Sequence, residues 1–466
     1  MHLIPQSWAH LHILVSVFPS FGLVIVLGFY LAGFLAGNEG IRRTCLVLFA
    51  LLALLSIPTY LSGQGSMAPV SEVPKISKSM MSFHYGWGIA ALVVLILTGV
   101  AAAFDLLRSG RAGSDAKRSF FVVSGLAIVA LVLMIVADGW EINHPELRVT
   151  VVIPDVSTAP AWPHVHMILN HVPTVGFVFA IAFFVIALLT DNDLMKRASL
   201  VLFVICGVVG VPTYISGTAS MWALTQPVVP EISKAVINAH RDMALLTLFG
   251  LAFTGAAAWI ELWRYRYIGH FSRSSLALVM LFAVVTLAIM AETGHRGGQI
   301  NHPEIRVATE ALPTDAEGTS TAIEGLMKQM VWFLPWQVVH YFGYCLIFGA
   351  VFAVVLRVLG FWKSVSFAAV HRLLLLGFLG VLINVFSGML MMLADSYRYV
   401  VGDYAFAPKI ALITIGAIAV LYFSLSNRVW NLKPGEDAPV AAKLVAVFVL
   451  LAWTGVLVGG RMLAFL

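Results

Sequence analysis

Long uninterrupted apolar runs dominate the chain. Stretches such as Ile13 to Ala36, Thr44 to Leu61 and Ala90 to Phe104 approach the roughly 20 residues that a helix needs to cross the hydrocarbon core of a membrane. A spanning β-barrel would instead need short segments of alternating polarity. The pattern therefore predicts an all-α membrane protein with about twelve transmembrane helices, at the approximate positions 12–36, 43–61, 84–105, 119–138, 166–190, 197–216, 241–262, 274–293, 334–358, 368–393, 406–425 and 441–465.

The polar positions between these runs repeat along the chain. W-A-H-L-H at 8–12 matches W-P-H-V-H at 162–166, and I-P-T-Y-L-S-G at 57–63 matches V-P-T-Y-I-S-G at 211–217. I-N-H-P-E-L-R at 142–148 likewise matches I-N-H-P-E-I-R at 300–306. We interpret residues 1–150 and 155–310 as two copies of a four-helix unit. An even number of spans per copy makes the repeats parallel, unlike the inverted repeats of many carriers.

Residues 330–466 show the pattern of a third, divergent copy. Trp336 and His340 keep the W-x-x-x-H spacing, and Ser387 and Gly388 fall near the place of the earlier Ser-Gly pairs. Lys409 stands where the first two copies have a histidine, and the N-H-P-E segment is missing. The sequence thus predicts three tandem four-helix bundles, of which the third has lost or changed any histidine site.

Composition and charge support a membrane location. Hydrophobic residues make up 60% of the chain and charged residues 11%, against about 25% charged residues in soluble domains. The net charge of +5 comes from short basic clusters on alternate connections, which indicate topology and not nucleic-acid binding. By the positive-inside rule, those connections are cytoplasmic and both termini are periplasmic, in the bacterial inner membrane.

The cysteines and the standard motifs exclude several chemistries. Cys45, Cys206 and Cys345 lie in apolar runs and form no C-x-x-C pair, which argues against a disulfide framework, a thiolate metal site and covalently attached haem. The sequence contains no P-loop, H-E-x-x-H or G-x-S-x-G motif, so hydrolase chemistry has no support.

Four segments carry a family resemblance: residues 166–176, 196–203, 211–217 and 294–306. They resemble an uncharacterised family of small bacterial four-helix membrane proteins that bear histidines at these positions. The second copy matches best, whereas the first has Val17 in place of His171 and D-G-W-E at 138–141 in place of R-G-G-Q. The last third is similar to another uncharacterised bacterial group with a cytochrome-b-like pattern. These resemblances imply a helical-bundle architecture.

The positions of the histidines suggest a cofactor. An ionisable side chain in a spanning segment is costly and usually faces the bundle interior or a cofactor. By depth and repeat symmetry, His12 pairs with His84 and His166 pairs with His240, the arrangement of a bis-histidine haem b held between two helices. Gly22 and Gly86 in the first copy and Gly176 in the second would let a flat ring approach the backbone. His171 and His340 are further candidate ligands.

Other histidines are assigned to supporting roles. His10 and His164 would hydrogen-bond to the ligand residues, and His144, His295 and His302 would lie in outer loops that cover the site or dock a partner. We therefore expect a b-haem electron-transfer protein or subunit. It would link a membrane or periplasmic redox partner at the outer face to the quinone pool, within a membrane oxidoreductase.

Two alternatives remain open for the same histidines. They would bind Cu or Zn at the outer face, or they would form hydrogen bonds that stabilise a non-redox scaffold subunit of a membrane complex.

Overall fold

The computed structural model describes residues 7–35, 39–71, 78–108, 114–136, 162–224, 234–301, 319–402 and 405–462. Within these ranges, helices are joined by short turns and there is no β-strand. This confirms the all-α fold that the apolar runs predict.

Fifteen α-helices occur in the described ranges: thirteen overlap the predicted spans, and two short helices, Thr319–Met327 and Asn427–Trp430, lie outside them. The first predicted repeat contains α1 (Trp8–Leu35), α2 (Glu39–Ser71), α3 (Lys78–Arg108) and α4 (Ser114–Val136). The second contains α5 (Trp162–Leu189), α6 (Asp193–Leu224), α7 (Lys234–Ile268) and α8 (Arg273–Asn301). The remainder contains α9 (Thr319–Met327), α10 (Met330–Leu359), α11 (Phe367–His371), α12 (Leu374–Ala394), α13 (Phe406–Leu425), α14 (Asn427–Trp430) and α15 (Val440–Met462), with a π-helical turn at Arg398–Gly402.

Most of these helices suit a lipid environment. Eleven helical segments of the described chain are long and apolar enough to cross a membrane, and the apolar part of α4, Ser119–Met134, is shorter. Large apolar side chains on the helices are exposed, as at Leu54 (62%), Val100 (61%) and Leu281 (58%). Because no water-soluble protein leaves so much apolar helix surface uncovered, the chain is a multi-pass membrane protein.

Contacts divide the chain into two compact units. Unit 1 comprises Met1–Thr158, Thr174–Lys196 and Gly294–Leu312, and unit 2 comprises Ala159–Pro173, Arg197–Thr293 and Pro313–Leu466. The division into three bundles at 1–150, 155–310 and 330–466 stays a prediction.

Unit 1 is built on helices that neighbour one another along the chain. Helix α2 packs against α1 and α3, and α4 packs against α3 and α1. Tyr30 contacts the rings of Phe49 and Phe120 in the interior. Near the start of α2, the buried Arg42 guanidinium lies 2.5 Å from the Asp105 carboxylate and 2.7 Å from Glu39.

Unit 2 has an apolar centre formed by several helices. Helix α7 packs against α9, α12 and α13, and α10 packs against α12 and α15. One buried cluster joins Tyr214, Leu248, Met392 and Phe406. Helices α6 and α7 approach closely at Gly207, where a Cβ atom would lie 2.9 Å from the Leu251 carbonyl oxygen.

Polar contacts tie together the connections of unit 2. Arg357 is fully buried and donates hydrogen bonds to the carbonyl oxygens of Val365 (2.5 Å), Lys433 (2.9 Å) and Glu436 (3.3 Å). A second tie joins the exposed Asp437 carboxylate to Lys363 (3.1 Å) and Lys443 (3.0 Å). Both lysines lower the pKa of the Asp437 carboxyl.

Candidate functional site

In unit 1, the structure brings His12 and His84 together. Both lie in the first turns of their helices, α1 and α3. Their ring centroids are 6.2 Å apart, and the ring planes cross at 79°. Two imidazoles that bind one metal from opposite sides at ~2.0 Å per bond have centroids about 6 Å apart. The crossed planes are compatible with this, because each ring can rotate about its own metal–nitrogen bond.

The ring of His12 has a defined orientation and tautomer. Its Nδ1 lies 2.9 Å from the Thr59 carbonyl oxygen and 3.4 Å from the Ser62 hydroxyl. A carbonyl oxygen only accepts, so Nδ1 carries the proton and Nε2 of the neutral ring keeps its lone pair. A backbone carbonyl behind a histidine in this way is the usual support for a metal-binding imidazole.

Gly63 completes this support. A Cβ atom at Gly63 would lie 2.8 Å from Cε1 and 3.0 Å from Nδ1 of His12. Only glycine leaves room for the ring to lie against α2 at this depth.

Unit 2 repeats the same arrangement. His166 on α5 places Nδ1 3.0 Å from the Thr213 carbonyl oxygen and 3.3 Å from the Ser216 hydroxyl. A Cβ atom at Gly217 would lie 2.8 Å from its Cε1. The segment P-T-Y-x-S-G, at 58–63 and 212–217, therefore has the same contacts with a histidine in both repeats.

His240, on the first turns of α7, is tethered in the same manner. Its Nδ1 lies 3.0 Å from the carbonyl oxygen of Thr293, near the end of α8. His240 and His171 both lie close enough to His166 for their charges to interact. Nδ1 of His171 hydrogen-bonds to the Met167 carbonyl oxygen one turn earlier on its own helix. In unit 2, His171 and His240 therefore both lie in the neighbourhood of His166.

The third predicted repeat keeps half of the arrangement. His340 places Nδ1 3.0 Å from the Ser387 hydroxyl, and a Cβ atom at Gly388 would lie 3.0 Å from its Cε1. Asn384 takes the place of the threonine and donates to the His340 carbonyl oxygen. Lys409 lies close enough for its charge to act on His340. A histidine thus faces a cation here, where the first two repeats have a second histidine.

A further histidine pair was not predicted from the sequence. His10 is buried, and its ring centroid lies 5.4 Å from that of His295, with the planes tilted by 31°. Both residues belong to unit 1. Nε2 of His295 lies 3.2 Å from the Gln299 side-chain nitrogen. His295 lies within α8 and not in a loop, so its predicted loop position is wrong, because that helix continues to Asn301.

The remaining predicted residues are less informative. His164 is half-buried on α5, two residues before His166. His144 and His302 lie outside the described residues.

Two of the three glycines proposed to admit a flat ring differ from one another. Gly22 is packed, since a Cβ atom there would lie 2.6 Å from the ring of Phe179, so this glycine serves packing within unit 1. At Gly86 no described atom lies within 4 Å of the Cβ position. There is open space two residues beyond His84.

In the sequence, P-T-Y-x-S-G is recognisable only as a repeated segment. In the first two copies its threonine carbonyl oxygen and serine hydroxyl hydrogen-bond to the histidine, and its glycine leaves room for the histidine ring. A signal was available, because histidine and serine are 50 residues apart in the first two copies and 47 in the third.

One structural observation and three comparisons with known proteins bear on cofactors and relatives. Among the described residues, no group of three or more His, Cys, Asp or Glu side chains is placed to hold a metal ion. Family models, curated proteins and solved structures contain no match to this chain. The resemblance to histidine-bearing four-helix proteins stays a prediction.

Proposed function

We propose that this protein is a membrane-embedded b-haem electron-transfer protein or subunit, with one haem in each of the first two repeats. His12 and His84 would be the axial ligands in unit 1, and His166 and His240 those in unit 2. The observation that carries the proposal is the repeated support of the histidines. In both repeats Nδ1 is bound to a backbone carbonyl, which leaves Nε2 as the donor atom.

The donor set favours haem over a structural zinc site. A bis-histidine haem takes two protein ligands, whereas a structural zinc site takes four. The 6.2 Å separation of His12 and His84 fits two axial ligands of one iron. A bound haem would supply a reversible one-electron couple, while the chain would fix the ligand tautomers and surround the ring with apolar side chains.

The location of the pairs limits the route of electrons. His12, His84, His166 and His240 each lie near the start of a helix, on the side that the basic clusters predict to be periplasmic. We propose that electrons pass at that face between a membrane or periplasmic redox subunit and quinone in the bilayer. Haems at one face alone would not carry electrons across the membrane.

Optical spectra of the purified protein, oxidised and reduced, test the proposal. We expect the α-band of a low-spin b-type haem in the wild type. His84→Ala and His240→Ala should each remove part of this band, because an iron that loses one of its two histidines has an open coordination position and is no longer a low-spin bis-histidine haem. Lys409→Ala in the third repeat is the matched control and should leave the band unchanged.

Two results would contradict the haem reading. The first is a wild-type protein without haem; copper and zinc analysis of the same preparation would then test the metal alternative. The second is wild-type haem content in both alanine variants with the helical content preserved. If metal is absent as well, the histidines have the structural role alone.

A further inference from the structure

Arg241 is a buried cation whose hydrogen bonds to the described residues are incomplete. It follows His240 on α7, and only 6% of its surface is exposed. Its Nε and one terminal nitrogen, Nη2, have no hydrogen-bond partner among the residues that the structure describes. Among the described residues, the Glu324 carboxylate pairs with Nη2 at 3.7 Å, which is too long for a hydrogen bond.

Such a residue points to an anion that completes its environment. Burial of a guanidinium costs several kcal/mol unless the charge is both paired and hydrogen-bonded. Glu324 compensates it only in part, because the same carboxylate pairs with Lys328 at 2.9 Å. A planar guanidinium whose Nε and Nη2 have no hydrogen-bond partner among the described residues is suited to a carboxylate.

The position of Arg241 next to His240 indicates which carboxylate would bind to it. Successive residues differ by about 100° around a helix, so Arg241 lies beside His240 and not on its ligand axis. A haem held by His240 would carry its two propionate groups at the edge of the ring, beside that histidine. We propose that Arg241 binds a propionate of the haem in the second repeat. This inference rests on the proposed function.

The first repeat lacks this cation. Tyr85 occupies the position after His84, and its hydroxyl lies 2.9 Å from that of Tyr60. A buried positive charge favours the reduced haem, because reduction adds a negative charge. The haem of the second repeat should therefore have the higher midpoint potential of the two.

The test is a redox titration of the intact haem-loaded protein in detergent, followed at the α-band. The wild type should titrate in two components, and His240→Ala identifies the component of the second repeat. Arg241→Gln should lower the midpoint potential of that component by at least ~59 mV, which is about tenfold in the equilibrium constant of a one-electron reduction. The midpoint potential of the other component should stay unchanged. Arg241→Lys should lower it less, since it keeps the charge.

The matched control is Arg273→Gln. Arg273 is exposed at the first turn of α8, and it lies ~30 Å along that helix from Thr293 at 1.5 Å per residue. This substitution removes the same charge and should move neither component. Resonance Raman bands of the propionates should change in Arg241→Gln and stay unchanged in Arg273→Gln.

The outcomes separate the two proposals. A wild type without haem overturns the proposed function, and this inference with it. Haem present in both repeats, with potentials and propionate bands unaffected by Arg241→Gln, overturns this inference alone. If Arg241→Gln does not fold, Glu324→Gln replaces it. Loss of the competing carboxylate should raise the midpoint potential of the same component. An unchanged midpoint potential would count against the proposal.

Discussion

Substitution of one glycine in each repeat tests whether the histidine support is functional. In Gly217→Ala, the new Cβ atom would lie 2.8 Å from Cε1 and 3.1 Å from Nδ1 of His166. Real Cβ contacts are longer, so the imidazole must move away from α6. It cannot do so and keep its 3.0 Å hydrogen bond to the Thr213 carbonyl oxygen.

The magnitude follows from these two effects. Overpacking a tight site costs about 1–3 kcal/mol, and a lost hydrogen bond costs about 1 kcal/mol. We therefore expect Gly217→Ala to destabilise its repeat by about 2–4 kcal/mol. The displaced Nε2 should also weaken haem binding, so that part of the reduced b-type absorbance is lost.

The chain offers a matched series for this measurement. Gly63→Ala creates the same 2.8 Å contact with His12, whereas a Cβ atom at Gly28 would meet no described atom within 4 Å. Haem content and thermal unfolding in detergent should fall in Gly63→Ala and Gly217→Ala, and Gly28→Ala should match the wild type. Unchanged haem content and stability in both site variants would refute the reasoning, because the imidazoles would then tolerate displacement.

Three further predictions concern stability. Arg357→Ala should lower the free energy of unfolding by about 3 kcal/mol in chemical denaturation, since three carbonyl oxygens lose a charged donor; an effect below about 1 kcal/mol would argue that water replaces the guanidinium. Asp105→Ala should cost about 3 kcal/mol and Glu39→Ala under about 1 kcal/mol, because the Asp105 side chain is 10% exposed and that of Glu39 is 57% exposed; equal losses would contradict this reading. The pKa of Asp437 is lowered by its two lysines. The two ion pairs should therefore stabilise the fold fully above the pKa of the unfolded state, near 3.8, and this stabilisation should be lost as the pH falls through the lower pKa of the folded state. Hydrogen exchange of the adjoining turns should detect this, and Asp437→Asn should abolish the pH dependence.

The sequence by itself determined which segments are helices and where the histidines lie along them. A membrane allows only helices or closed barrels, so runs of apolar residues such as Thr44 to Leu61 were sufficient to predict helix α2. Repetition then placed His12, His84, His166 and His240 near helix starts, because position along a helix follows directly from residue number.

Tertiary structure decided which side chains meet. The contact of His10 with His295 joins residues 285 positions apart, and no periodicity within either helix predicts it. The Thr59 and Thr213 carbonyls that fix the tautomers of His12 and His166 belong to the backbone, so no residue type in the sequence marks them.

Burial of charge was also decided by tertiary structure. In the sequence Arg241 is one basic residue at a helix start, where an exposed position is the usual expectation. The packing of α9 against α7 brings Glu324 near it. Helix periodicity determines the depth of a residue in the membrane and the face of the helix on which it lies. The residue that it contacts depends on how separate helices pack, and the energy of those contacts cannot be calculated from the local sequence.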